Sequence, residues 1–142
     1  MTIDQLERII KYNFNNVSLL KEALIHSSCS ISSCKNNKKN YERLEFLGDR
    51  VLGLVLAEYV FHVFPEANEG LLNSYYQKYV SQEYLFNYSK KIHLSNFIKT
   101  QKGDKLDVNK SILSDVVESI IGAIYLDSGF IDCKEFIMKE II

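Results

Sequence analysis

The chain has 142 residues, 46% of them hydrophobic and 25% charged, with a formal net charge of -1 at pH 7. That length fits a single domain, which buries about 68% of its unfolded surface without disulfide staples. The balance of charge supplies no long-range attraction for nucleic acid, and no apolar run approaches the ~20 residues of a membrane span. The N-terminus, Met1-Thr2-Ile3-Asp4-Gln5, has neither the basic start nor the apolar stretch of a secretion signal. Cys29, Cys34 and Cys133 fit no zinc spacing, and their odd number argues against a disulfide framework. They read as reduced thiols of a cytoplasmic protein.

Helices are predicted throughout, because proline occurs once, at Pro65, and no period-2 alternation is sustained. Thr2 with Gln5 forms a capping-box pattern before the amphipathic Ile3, Leu6, Ile9 and Ile10. Leu19, Leu20, Ala23 and Leu24 mark a second helix ending near His26. Residues 27–40, rich in Ser, Asn and Lys, read as an exposed loop. A long helix is predicted from about Tyr41 to Phe64, where Pro65 ends it. Two more follow, Glu69 to Val80 and Ser81 to Ile92, then a polar loop over 99–110. Ser111 to Ser128 reads as helix, with Gly129 placed to end it, and Ile131 to Ile142 as the last helix. No internal repeat or linker interrupts the chain.

Two of these helices carry acids at positions where an apolar helix does not readily tolerate them. Glu42, Glu45 and Asp49 lie within roughly a 60° arc of the long helix, at 100° per residue. Asp115 and Glu118, spaced i, i+3, share a face of the later one. Two such helices facing each other would form an all-oxygen cage suited to hard divalent cations. Gly48 adjoins Asp49, and Gly122 lies one turn after Glu118, each costing about 1 kcal/mol relative to alanine in a helix interior. The missing side chains either let the helices close and gather the carboxylates, or serve ordinary tight packing. Spacing alone does not separate the two.

The run Asn40-Tyr41-Glu42-Arg43-Leu44-Glu45-Phe46-Leu47-Gly48-Asp49 resembles the signature of the ribonuclease III endonuclease domain, bacterial type. Ala23-Leu24-Ile25-His26-Ser27-Ser28 is similar to the family's A-L-T-H-x-S, and Glu69-Gly70-Leu71-Leu72 to its E-G-x-L. Ser111-Ile112-Leu113-Ser114-Asp115 with Glu118, followed by Gly122-Ala123-Ile124-Tyr125-Leu126-Asp127, is similar to its S-I-L-A-D-x-x-E and G-A-I-Y-L-D. The resemblance covers essentially the whole chain, with the motifs in the family's order.

The resemblance implies an all-α, compact, multi-helix and dimer-forming endonuclease domain over residues 1–142, with no double-stranded-RNA-binding domain inside it. It implies metal-dependent hydrolysis of double-stranded RNA to 5′-phosphate and 3′-hydroxyl ends, in the processing of rRNA and mRNA precursors. The implied ion is Mg²⁺, with Mn²⁺ able to substitute, and the implied assembly is a cytoplasmic homodimer. Matched position by position, Glu45, Asp49, Asp115 and Glu118 correspond to the family's catalytic and metal-binding carboxylates. Phe46 corresponds to an aromatic knob at the dimer interface. Glu42 corresponds to the signature's first acid, read as an interface or helix-supporting ion-pair residue rather than a principal ligand.

The chain departs from the pattern in places. Leu71-Leu72-Asn73-Ser74-Tyr75-Tyr76-Gln77-Lys78 stands where the family commonly carries arginine. Ser114 and Ser119 replace alanine, and the loop over 102–110 differs. His26 invites a general-base role, but metal chemistry makes one unnecessary, so it reads as a helix-end structural residue. His62 and His93 receive no role. Lysines 35, 38, 39, 90, 91, 99, 102, 105 and 110 fall in loops or at helix ends, where they could line an RNA-facing rim; a duplex would be read there by shape. The rival reading is a non-catalytic ribonuclease-III-like scaffold, which loss of an acid would signal; all four acids are present. A di-iron bundle would need Glu-x-x-His pairs, which neither acidic helix supplies.

Overall fold

The computed structural model describes residues 2–27, 40–100 and 109–142. Seven α-helices follow in order: α1 (Ile3–Ile10), α2 (Val17–Ala23), α3 (Tyr41–Val63), α4 (Glu69–Val80), α5 (Gln82–Lys91), α6 (Lys110–Ser128) and α7 (Phe130–Phe136). Among the described residues the only extended pairing is an isolated bridge between Ile25 and Lys99. The all-α class expected from the sequence is therefore the class observed.

Local chemistry sets the helix ends. Thr2 and Gln5 form the reciprocal capping box, with the Thr2 N–H donating to Gln5 Oε1 at 2.7 Å. Asparagine does this work elsewhere: the side chains of Asn16, Asn40, Asn68 and Asn109 accept from backbone N–H groups at the starts of α2, α3, α4 and α6. Each satisfies one of the orphan donors of a helix N-terminus. Helix α3 stops at Val63, because the residue before Pro65 is barred from helical geometry. Gly129 takes a φ of 93° after α6, a left-handed conformation that costs glycine no side-chain clash.

Helix α6 is the axis of the core. Leu113, Val116, Val117, Ile120, Ile121, Ala123 and Ile124 are all buried, so it is covered nearly all round, and its most extensive contact is with α3. Helix α3 is buried on one side through Leu44, Val51, Leu52, Val55, Leu56 and Val60. At about 1.5–3 kcal/mol per fully buried aliphatic side chain, this pair is the main source of hydrophobic stabilisation. The two serines that depart from the alanine pattern fasten α6 to its neighbours. Ser119 Oγ lies 2.8 Å from the Ala23 carbonyl at the end of α2, and Ser114 Oγ lies 3.1 Å from that of Gln82 at the start of α5.

Three boundaries differ from expectation. Helix α2 ends at Ala23 rather than near His26, since the chain turns to place Ile25 beside Lys99. A short 3-10 turn over Leu94–Phe97 follows His93, whose φ of 52° reverses the chain and delivers Leu94 to the core. The final helix is not uniform: α7 passes into a wide turn over Ile137–Ile141, with the Ile142 N–H donating to the Ile137 carbonyl. The i→i+5 spacing adds a residue per turn, and both Ile137 and Ile141 are buried. The loop readings over 27–40 and 99–110 lie mostly outside the described residues, as do Cys29, Cys34 and lysines 35, 38, 39, 102 and 105.

Candidate metal centre

The contact between α3 and α6 is a backbone contact. A Cβ built on Gly48 would lie 1.7 Å from the Glu118 carbonyl oxygen and 2.8 Å from the Gly122 nitrogen. One built on Gly122 would lie 2.2 Å from the Leu44 carbonyl oxygen. No side chain larger than hydrogen fits at either position, so close approach is what both glycines provide. Glu45 and Asp49 flank Gly48, and Asp115 and Glu118 project from the facing stretch of α6.

The approach brings carboxylates together. One oxygen each from Glu45, Asp115 and Glu118 lies within 4.8 Å of the others, with all three residues half-buried. Glu45 and Asp115 are within hydrogen-bonding reach across the helix pair, and so are Asp49 and Glu118. Asp49 stands at the rim, where its Oδ2 also accepts from Arg50 Nη1 at 2.7 Å. Glu42, Glu45, Phe46, Asp49, Arg50 and Glu118 line an open cleft of about 360 Å³.

Electrostatics follow from the crowding. Burial, reinforced by the charges of Asp49, Asp115 and Glu45, pushes the Glu118 carboxyl up to about 8. Burial, with Asp115, Glu42 and Asp49 adding to it, raises Glu45 to about 7. Asp115 is also raised by burial, although its bond with Glu45 and the charge of His26 pull the other way. Neighbouring acids that cannot all ionise together favour a cation among them. The donors are all hard carboxylate oxygens, a set that fits a divalent cation of the Mg²⁺, Ca²⁺ or Mn²⁺ kind.

Around the cluster, the Tyr41 hydroxyl is raised to about 12 by burial and by Asp115, Glu45 and Glu42. Its ring stacks on His26 with centroids 5.5 Å apart. The Tyr41 N–H donates to the Ile25 carbonyl and the His26 N–H to that of Lys99, so the bridge segment anchors the start of α3. Sequence reasoning did not single out Tyr41; its burial beside three acids is the sign of its place. Nor did it foresee Asp127, whose carboxylate accepts from the Tyr12 hydroxyl and the N–H groups of Asn15 and Asn16. Burial alone would raise Asp127, but those bonds outweigh it and hold the carboxyl below its ordinary value. Its part is to clamp the α1–α2 connection onto the end of α6.

Phe46 is not core: it is 63% exposed, as are Leu54 at 58% and Phe61 at 63%. At 100° per residue these three fall within roughly an 80° arc, an apolar stripe along the outer side of α3. Glu42 is exposed at the lip of the cleft. Of the candidate rim lysines among the described residues, Lys90, Lys91 and Lys99 are exposed, while Lys110 pairs with Glu83. No helix among the described residues is long and apolar enough to cross a membrane.

Comparison with known proteins gives the family of the chain. A family model described as Ribonuclease-III-like matches residues 16–142. Ribonuclease 3 of Ehrlichia chaffeensis (strain ATCC CRL-10679 / Arkansas) is 42% identical over 138 residues, covering 95% of this chain and 60% of that protein. Ribonuclease 3 of Wolbachia sp. subsp. Brugia malayi (strain TRS) is 38% identical over 140 residues, covering 96% of this chain and 58% of that protein. The chain thus spans less than two thirds of these curated relatives. Among solved structures, the nuclease domain of ribonuclease III from Campylobacter jejuni, which has a region involved in dimer formation, superposes with a TM-score of 0.88. It is 38% identical, with 99% of this chain and 96% of that chain covered.

Proposed function

The chain belongs to the ribonuclease-III-like family, and on that premise we propose that it is a divalent-metal-dependent endoribonuclease acting on double-stranded RNA. The products are 5′-phosphate and 3′-hydroxyl ends, and the physiological task is processing of rRNA and mRNA precursors in the cytoplasm. The observation that carries this reading is the gathering of Glu45, Asp115 and Glu118 to within 4.8 Å across two helices closed on glycine.

Glu45, Asp49, Asp115 and Glu118 would hold the ion, which would be Mg²⁺ with Mn²⁺ as a substitute. When bound, the ion supplies Lewis-acid stabilisation of charge at the scissile phosphate and a lowered water pKa. The chain's own contribution is positional. The four carboxylates project from rigid helices, and the α3–α6 backbone contact sets their spacing. A bound ion would favour the ionised forms of Glu45 and Glu118, whose carboxyls burial holds above their ordinary value. Tyr41 and His26 buttress the start of α3, consistent with a structural rather than a proton-transfer role for His26.

The functional unit is a two-fold homodimer joined through the α3 stripe, with Phe46 inserted into the partner and Glu42 beside it. Two-fold symmetry presents one centre to each strand of an antiparallel duplex. The A-form duplex is recognised by shape and by its phosphates and 2′-hydroxyls, with Lys90, Lys91 and Lys99 available at the surface. The test is incubation with a long RNA duplex, with and without Mg²⁺, followed by end analysis. Staggered fragments carrying 5′-phosphates and 3′-hydroxyls are expected only with the ion. An intact duplex bound equally well in both conditions would favour a non-catalytic scaffold instead.

A further inference from the structure

Arg50 follows Asp49 directly, and its Nη1 donates to Asp49 Oδ2 at 2.7 Å. Its guanidinium carbon lies 4.3 Å from the centroid of the Phe46 ring, one turn earlier on α3. Among the described residues lining the acidic cleft, Arg50 is the sole cation. The side chains of the pair are 62% and 49% exposed, and a pair so wet adds little to stability, so its partners are exchangeable. Asp49 is itself divided between Arg50 and Glu118, which reaches it from the other helix.

Resting on the endonuclease reading above, we propose that Arg50 is a positioning residue with two alternating partners. It holds Asp49 until a divalent ion claims that carboxylate, and it then turns its guanidinium to a phosphate of the RNA duplex. Three features support the exchange. The planar guanidinium fork matches carboxylate and phosphate alike. Arg50 lines the same cleft as Glu45, Asp49 and Glu118, so its guanidinium stays beside the centre when its hydrogen-bond partner changes. The cleft is otherwise acidic and the chain carries a net charge of -1, so a phosphate approaching the centre meets repulsion unless a cation stands at the wall. An ion and Arg50 also compete directly for Asp49, because each satisfies the same oxygens.

Two properties then move in opposite directions. Arg50→Gln removes the competitor for Asp49 and the phosphate partner together. Mn²⁺ titration of the chain alone, followed by the free-ion EPR signal, reads the first. Duplex cleavage at saturating Mg²⁺ over a salt series reads the second. The expected result for Arg50→Gln is Mn²⁺ binding about three- to five-fold tighter, a duplex KM about five-fold higher and kcat within two-fold. Its salt dependence of log KM should be shallower by about 0.9 for each phosphate that Arg50 no longer neutralises. Arg50→Lys keeps the charge and should keep the salt slope. Wild-type chain that binds Mn²⁺ and cuts duplex, with Arg50→Gln shifting both constants the same way or neither, would overturn the role of Arg50 alone. Wild-type chain that does neither would overturn the endonuclease reading and this inference with it.

Discussion

Replacing Gly48 by alanine puts a methyl group 1.7 Å from the Glu118 carbonyl oxygen, 2.7 Å from its carbon and 2.8 Å from the Gly122 nitrogen. All three are backbone atoms, so no side-chain rotation relieves the clash. An ordinary carbon–oxygen contact is about 3.3 Å, so α3 and α6 must separate locally by about 1.6 Å. Overpacking of this kind costs ~3 kcal/mol, and alanine's helix propensity returns ~1 kcal/mol. The net loss of about 2 kcal/mol lowers Tm by about 4–8 °C in a domain of this size. The same displacement spreads the carboxylates of α3 from those of α6, and a 1 Å misplacement alone can cost ~100-fold in rate. Gly53→Ala is the control, since its added methyl meets only the end of the Tyr76 side chain. Thermal unfolding and Mn²⁺ titration of both variants give the readout. A Gly48→Ala protein with unchanged Tm and unchanged ion affinity would refute the reasoning that glycine contact builds the site.

Further outcomes follow from the same geometry. Glu118→Gln keeps the shape of the side chain and removes one ligand charge, so duplex cleavage in Mg²⁺ should fall at least 100-fold while the fold persists by circular dichroism; near-normal turnover would show that Glu118 is not required. Glu45 and Glu118 titrate near 7 and 8 when folded, above the 4.5 of an unperturbed glutamate. The stability they contribute is complete below about 4.5 and is lost as pH rises through 7 and 8. In EDTA, Tm should therefore decline from pH 5 to 9, and Mg²⁺ should raise Tm more at pH 8.5 than at pH 6; a pH-independent Mg²⁺ effect would contradict this. Phe46→Ala should weaken self-association by at least ten-fold in sedimentation equilibrium, and an unchanged constant would remove Phe46 from the interface.

Most of the helical framework was legible because proline occurs once, α1 combines clear periodicity with the Thr2–Gln5 capping box, and Pro65 and Gly129 mark the ends of α3 and α6. Asn68 and Asn109 sit at the positions where orphan N–H groups need an acceptor. The acidic residues were legible by their expense, since carboxylates within apolar helices need partners. The purpose of Gly48 and Gly122 was not legible, because a missing side chain says nothing about what approaches it; that depends on the facing backbone. The 3-10 turn at Leu94–Phe97 and the wide turn at Ile137–Ile141 escaped for a related reason. Tertiary burial of Leu94, Ile137 and Ile141 overrides the local pattern. Ser114 and Ser119, which looked like simple departures, bond to carbonyls on other helices that are distant in sequence.

The central claim is that the α3–α6 acids form one divalent-ion centre. Anomalous diffraction from crystals soaked in Mn²⁺ tests it directly. A peak is expected about 2.1 Å from carboxylate oxygens of Glu45, Asp115 and Glu118, with Asp49 drawn toward it. An anomalous map with no peak among these four residues, or with the ion bound elsewhere on the chain, would contradict it.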